Sequence, residues 1–143
     1  MQHRFESFVA GITECYRYIQ RIKSVEMTEL GLKGTHVMCL YYLGQSPEGL
    51  TVTKLAELCC EDKAAVSRTV AELEQLGHCC RYADGKKYRA PLCLTESGQQ
   101  AAAKIGGLVE QWVMVGGDGL SNEERAAFYG TLAKIAANLK GAN

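Results

Sequence analysis

The chain is poor in the features that mark many other protein classes. It has only two prolines, and its fifteen glycines are scattered through 143 residues without a low-complexity run. Neither a disordered segment nor a flexible linker is therefore indicated. Its sixteen basic and sixteen acidic residues cancel, so a nucleic-acid binder of this composition has to concentrate its basic groups locally.

Catalytic and targeting signals are also scarce. The three histidines, His3, His36 and His78, lie far apart, and the chain has neither a glycine-rich phosphate loop nor a nucleophile motif. We therefore expect no enzymatic activity and no cofactor. The first twenty residues interleave charged with apolar residues, unlike a signal peptide or a membrane span. This pattern predicts a cytoplasmic protein that does not associate with membranes.

The seven cysteines are an odd number, and in a reducing compartment they are expected as thiols. The pairs Cys59-Cys60 and Cys79-Cys80 lack the CxxC spacing of common metal sites. Because neighbouring side chains diverge on a helix and alternate on a strand, we predict one buried and one partly exposed cysteine in each pair, and no metal. Cys15, beside the apolar stripe of the first helix, is predicted to be a buried, inert thiol.

Apolar residues, 47% of the chain, supply enough material for the core of one domain. Their spacing of three and four residues, together with capping residues and glycine stops, predicts helices through most of the sequence. The predicted helices are 5–22, 37–43, 52–60, 63–77, 95–116 and one that begins after the capping-box sequence at Ser121.

The third and fourth predicted helices are separated by a tight turn at Glu61-Asp62. Asp62 is a suitable N-cap for the fourth helix, and Gly77 follows its end. The outer face of that helix carries small or hydrogen-bonding residues, so a partner can approach it closely. Such a face fits the major groove of DNA, where Arg68 is able to reach a guanine edge or a phosphate.

A change of period after Gly77 predicts a small β-hairpin. Two β-prone runs flank Asp84-Gly85, a dipeptide favoured in type I′ turns. The hairpin carries Lys86, Lys87 and Arg89, which can contact phosphates or enter a minor groove. A helix, a tight turn, a second helix and then a hairpin form a winged helix-turn-helix. The predicted fold class is mainly α with a small β-hairpin wing.

The segment LTVTKLAELCCEDKAAVSRTVAELEQLGH, followed by LTESG, resembles the MarR family of transcription regulators. The resemblance implies one MarR-like domain over 1–143, with a DNA-binding lobe at 33–95 and dimerisation helices at 1–30 and 96–143. It also implies a homodimer that binds double-stranded DNA and represses transcription until an effector binds. The implied major-groove residues are Lys63, Ala64, Ala65, Ser67 and Arg68. The wing lacks the paired arginines that are common in this family.

Two further interpretations concern ligands and partners. Aromatic and polar tips at Tyr18, His36 and Tyr42 are predicted to line the pocket of a small-molecule effector of unknown identity. A winged-helix module that binds proteins rather than DNA is the alternative function, and a thiol- or metal-responsive sensor is a further variant. Binding to DNA would weaken steeply as salt rises, whereas the protein-interaction module would be insensitive to salt.

Overall fold

The computed structural model describes residues 2–81 and 90–142. Within these ranges the chain is mainly helical, with one antiparallel pair of short strands in which Cys79 lies opposite Leu94 and Arg81 opposite Leu92. This confirms the predicted fold class. In order, the elements are α1 (Gln2–Thr28), α2 (His36–Gly44), α3 (Val52–Cys59), α4 (Lys63–Gln75), β1 (Cys79–Arg81), β2 (Leu92–Leu94), α5 (Glu96–Gly116) and α6 (Asn122–Gly141).

The chain divides into two compact units, of which the first ends at Gly106 and the second begins at Gly107. In the first unit, a core forms where the inward faces of α2, α3 and α4 meet β2 and the first turns of α5. Its fully buried members include Leu40, Leu55, Leu73, Leu92 and Ile105. Burying each such side chain contributes about 1.5–3 kcal/mol, so this core holds the short helices together.

Helix α1 extends beyond the predicted 5–22 and ends at Thr28. Met27, in its last turn, is fully buried. Its apolar stripe, by contrast, is exposed along its whole length: Phe5, Phe8, Val9, Ile12, Tyr16, Ile19 and Ile22. Cys15 is exposed as well, so the predicted burial of this thiol is wrong for the single chain. The apolar stripe beside Cys15 stays exposed, although Tyr16, one of its members, borders a cavity that α1 shares with α2 and α4.

The segment between β2 and α5 is fixed to the end of α4. Gly77, in a left-handed conformation at φ 77°, follows α4 as predicted for a C-terminal glycine. Its carbonyl oxygen accepts hydrogen bonds from the hydroxyls of Thr95 and Ser97. Gly98 has no room for a side chain, because a Cβ there would lie 1.8 Å from the carbonyl oxygen of His78.

The second unit contains the end of α5, the connecting turn and α6. Ser121 and Glu124 form the predicted capping box at the start of α6, with both reciprocal hydrogen bonds present. The Arg125 guanidinium donates to the carbonyl oxygen of Gly117 at 2.7 Å and so ties α6 to the turn. No residue of α6 is buried, and Phe128, Tyr129 and Leu139 are exposed on it.

The two cysteine pairs follow the predicted alternation of burial only in part. Cys79 is buried and Cys80 exposed, as the alternation of a strand predicts, whereas Cys59 is only half-buried and Cys60 is exposed.

No helix in the described part of the chain combines the length and apolarity that a membrane span requires.

Candidate nucleic-acid interface

Helices α3 and α4 form a helix-turn-helix with defined caps at both starts. The Thr51 hydroxyl accepts a hydrogen bond from the amide of Lys54 at 3.1 Å, and the Asp62 carboxylate accepts one from the amide of Ala65 at 2.7 Å. Between the helices, Cys60 adopts a left-handed conformation at φ 54° and ends α3, and α4 begins three residues later at Lys63. The turn therefore sets the direction of α4 tightly.

Helix α4 has one buried face and one open face. Val66, Val70 and Leu73 are buried against the core. Lys63, Ala64, Ser67 and Arg68 are exposed, and their spacing of three and four residues places them on one side of the helix. Within residues 2–81 and 90–142, Arg68 has no ion-pair partner. A narrow surface with an available guanidinium suits entry into a major groove.

The structure places Ala65 differently from the other predicted groove residues. Ala65 is half-buried and lines a cavity that α4 shares with α1 and α2. Its carbonyl oxygen accepts a hydrogen bond from the Thr69 hydroxyl. It lies next to Ala64 in sequence, but one residue along a helix rotates the side chain by about 100°. We therefore leave Ala65 out of the candidate interface.

A buried histidine connects α2 to α4. His36 is only 2% exposed, and its Nδ1 accepts a hydrogen bond from the amide of Lys33 at 3.0 Å. An accepting Nδ1 places the proton on Nε2, which donates to the Glu72 carboxylate at 2.7 Å. Hydrogen bonds from His36 and then from the Lys33 ammonium, 3.2 Å away, lower the pKa of Glu72. Glu72 lies one turn beyond Arg68 on the same side of α4, so this contact holds α4 to α2 beside the open face.

The sequence interpretation missed the role of Glu72, although a signal was present. A histidine within the apolar run of α2 needs a hydrogen-bonding partner once it is buried. An acidic residue on the adjoining helix can supply that partner.

Only the base of the predicted wing is described. Arg81, the last residue of β1, contacts Glu74 through its Nε at 3.3 Å, so this cation is paired with α4. Lys86, Lys87 and Arg89, the predicted wing contacts, lie outside the described residues, as does the Asp84-Gly85 turn.

The predicted effector residues do not meet around either of two cavities in the first unit. Tyr18 is exposed beneath the guanidinium groups of Arg17 and Arg21, Tyr42 packs edge-on against Tyr41, and both ring nitrogens of His36 are engaged. One cavity, of about 230 Å³, lies between α2 and α5 and is lined by Tyr41, Gln45, Gln99 and Ala102, among others.

The second cavity, of about 180 Å³, lies among α1, α2, the end of α3 and α4. Tyr16, rather than Tyr18, is the tyrosine that lines it. Two cysteines, Cys39 and Cys59, also line it. Across residues 2–81 and 90–142, no group of three or more histidine, cysteine, aspartate or glutamate side chains is arranged to hold a metal ion.

Comparisons with known proteins give a consistent answer. Residues 30–79, which include the helix-turn-helix and the start of β1, match the MarR family. No curated protein sequence matches the chain.

Among solved structures, the chain is similar to the transcriptional regulator SlyA, with 25% identity, a TM-score of 0.85 and coverage of 94% of this chain and 95% of the other. It is also similar to a MarR family regulator of Listeria monocytogenes complexed with a 26-mer DNA, with 25% identity, a TM-score of 0.81 and coverage of 92% and 87%.

A third similar structure is that of MepR from S. aureus in complex with DNA, with 20% identity, a TM-score of 0.80 and coverage of 90% of this chain and 93% of that chain. The likeness to these structures extends over nearly the whole chain and not only over the segment that matches by sequence. The agreement of the sequence match, the order of the elements and these structures leads to one conclusion. The helix-turn-helix segment is similar in sequence to the MarR family, and the fold of the chain is similar to that of winged helix-turn-helix transcription regulators of this family.

Proposed function

We propose that the chain is a non-enzymatic, cytoplasmic transcription regulator that binds double-stranded DNA as a homodimer. Its target is a pseudo-palindromic operator, and its output is repression that a small-molecule effector relieves. The observation that carries this proposal is the open face of α4, where Ala64 and Ser67 leave room for a groove beside the available guanidinium of Arg68.

The structural relatives support DNA as the partner. The MepR structure and the Listeria regulator were both crystallised with DNA. A helix-turn-helix of this kind inserts its second helix into the major groove, and a dimer places two such helices on successive grooves. Half-sites about one helical turn apart, roughly 34–36 Å, are therefore expected.

The exposed apolar stripe of α1 supports the homodimer. Seven large apolar or aromatic side chains lie along one side of this helix, with Phe5 at 69% exposure and Tyr16 at 58%. Helix α6 likewise exposes Phe128 and Leu139. Surfaces of this extent are seldom left open on monomeric proteins, and a second copy of the chain would cover them.

Effector control follows from dimer geometry. Two recognition helices fit successive grooves only at one separation, so a ligand that binds better to a dimer of different separation would release the DNA. A ligand with equal affinity for both arrangements would have no effect.

The proposal is tested by measuring the binding of purified protein to the DNA upstream of its own gene at two salt concentrations. Arg68→Ala should weaken binding by about 1–3 kcal/mol if the guanidinium reads a base. Lys104→Ala, which removes an exposed charge from α5, is the matched control and should bind like the wild type.

The salt dependence distinguishes DNA contact from protein interaction. Phosphate contacts make the logarithm of the binding constant fall linearly with the logarithm of salt concentration. If the upstream DNA is not bound, selection from a randomised DNA pool identifies an operator elsewhere. Failure to enrich any sequence from that pool would refute the proposal in favour of a protein-interaction module.

A further inference from the structure

Cys80 and Cys93 lie opposite each other at the base of the wing. Cys80 is the middle residue of β1 and Cys93 the middle residue of β2, and the two are direct partners in the antiparallel register. Residues directly opposite each other project from the same face of a strand pair. Cys79 is buried on the inner face, so both thiols lie on the outer face, where Cys80 is exposed and Cys93 half-buried.

The hydrogen bonds of Leu92 determine how far apart the two cysteines lie. The Leu92 amide donates to the carbonyl oxygen of Leu50 at 2.7 Å, and the Leu50 amide donates to the carbonyl oxygen of Leu92 at 3.0 Å. Because the backbone groups of successive strand residues point to alternate sides, those of Cys93, the next residue, point toward β1. Cys80 and Cys93 are therefore a hydrogen-bonded pair, with a Cα separation of about 5.5 Å.

This separation suits a bridging ion better than a direct bond between the sulfurs. Opposite Cβ atoms lie about 4.5–5.5 Å apart, with hydrogen-bonded pairs at the upper end of that range, whereas a disulfide requires about 3.5–4.5 Å. An ion between the sulfurs lengthens the bridge by two metal–sulfur bonds, each about 2.3 Å for zinc. The wider gap can thus be spanned without drawing the strands together.

The surroundings of Cys93 hold its sulfur in place and keep the group protonated. Its Sγ lies against the backbone of Gly49, where a Cβ would come within 2.8 Å of it. Burial first, and then Cys80 and the Glu48 carboxylate, raise the pKa of Cys93. This group is therefore a thiol at neutral pH, and a metal ion that binds it has to displace a proton.

The number of available ligands selects the ion. Over residues 2–81 and 90–142, no group of three or more histidine, cysteine, aspartate or glutamate side chains is arranged to hold a metal ion. A structural zinc site needs four such ligands, so the cysteine pair does not match zinc. Two thiolates suit Cu(I), a soft ion that thiolates select and that accepts two of them in a linear arrangement.

We propose that Cys80 and Cys93 form a two-thiolate site for a soft monovalent cation, Cu(I). Each thiol releases its proton to solvent, and each sulfur forms one bond to the ion. Two thiolates and one monovalent cation leave the bound site with a single negative charge. No electron is transferred, and copper stays in the +1 state. The bound ion joins β1 to β2 at the base of the wing, and this binding requires no DNA.

The test titrates the reduced full-length protein with Cu(I) under anaerobic conditions, in competition with a chromophoric Cu(I) chelator. The wild type should bind one Cu(I) more tightly than any further ion, and more tightly as the pH rises. Cys80→Ser and Cys93→Ser should each weaken this binding by about 10²–10⁴-fold, the usual gain from joining two ligands in one molecule. Cys60→Ser, which changes an exposed cysteine of the helix-turn-helix, is the matched control and should bind like the wild type.

Two measurements on the wild type do not depend on how the variants fold. One equivalent of Cu(I) should protect Cys80 and Cys93, but not Cys60, from iodoacetamide, as read by peptide mass. X-ray absorption at the copper edge should show two sulfur neighbours.

The proposal is overturned if Cu(I) protects other cysteines and leaves Cys80 reactive, or if either serine variant at the site keeps the wild-type affinity. A copper absorption spectrum with three or more sulfur ligands would also overturn it. None of these assays contains DNA, so failure of the Cu(I) site and failure of the proposed function are separate results.

Discussion

Replacing Gly98 with alanine should destabilise the protein, although alanine is the better helix former. A Cβ at this position would lie 1.8 Å from the carbonyl oxygen of His78 and 2.8 Å from its carbonyl carbon. Both are backbone atoms, so no side-chain rotation relieves the clash, and the start of α5 must move by about 1 Å or more. That movement disturbs the hydrogen bond from the Thr95 amide to His78, now 3.0 Å long.

The size of the effect follows from opposing contributions. Overpacking costs about 1–3 kcal/mol, and each weakened hydrogen bond costs about 1 kcal/mol. Replacement of a helical glycine by alanine returns about 1 kcal/mol. We therefore expect Gly98→Ala to lower the free energy of unfolding by about 1–3 kcal/mol, equivalent to roughly 4–12 °C in Tm.

Gly106→Ala is the matched control, because Gly106 lies in the same helix and a Cβ there meets no atom within 4 Å. This variant should be stabilised by about 0.5–1 kcal/mol. Urea denaturation followed by circular dichroism measures both variants against the wild type. Equal stability of Gly98→Ala and Gly106→Ala would refute the reasoning, since it would mean that α5 does not approach β1 as closely as described.

Three further outcomes are expected. Pairing lowers the pKa of Glu72, so its stabilising contribution is present at neutral pH and is lost as the pH falls through that lowered pKa. The urea midpoint should therefore fall less between about pH 7 and about pH 3 in Glu72→Gln than in the wild type. Asp62→Ala should cost about 1 kcal/mol of unfolding free energy through loss of the α4 cap, whereas Asp62→Asn should retain most of it. Ile12→Asp should shift sedimentation equilibrium from dimer toward monomer, and Ser7→Asp, on the opposite side of α1, should not; a dimeric Ile12→Asp protein would contradict an interface through the α1 stripe.

Local patterns in the sequence were sufficient to predict most of the fold. The periodic apolar spacing located each helix, Asp62 and Ser121 marked the starts of α4 and α6, and Gly77 marked the stop after α4. These signals act over a few residues, so they can be recognised without knowledge of the tertiary structure. The hydrophobic stripe of α1 was also recognised, but its continuation to Thr28 depends on the burial of Met27 in the core.

The parts that sequence reasoning did not reach depend on contacts between distant residues. Cys39 and Cys59 line one cavity only because α2 packs against α3. The pairing of His36 with Glu72 likewise requires α2 beside α4. Ala65 was placed among the groove residues by the family resemblance, whereas its position at the cavity depends on how α4 packs against α1 and α2.

The small residues at the start of α4 bring an internal cavity close to the open face of this helix. Ala65 borders an internal cavity, and Ala64, its neighbour, belongs to the open face, about 100° away around the helix axis. A single α-helix is about 10–12 Å across with its side chains, and alanines make it thinner here. A change in the cavity therefore meets the same turns of the helix that present the open face, with no relay of intermediate side chains between them.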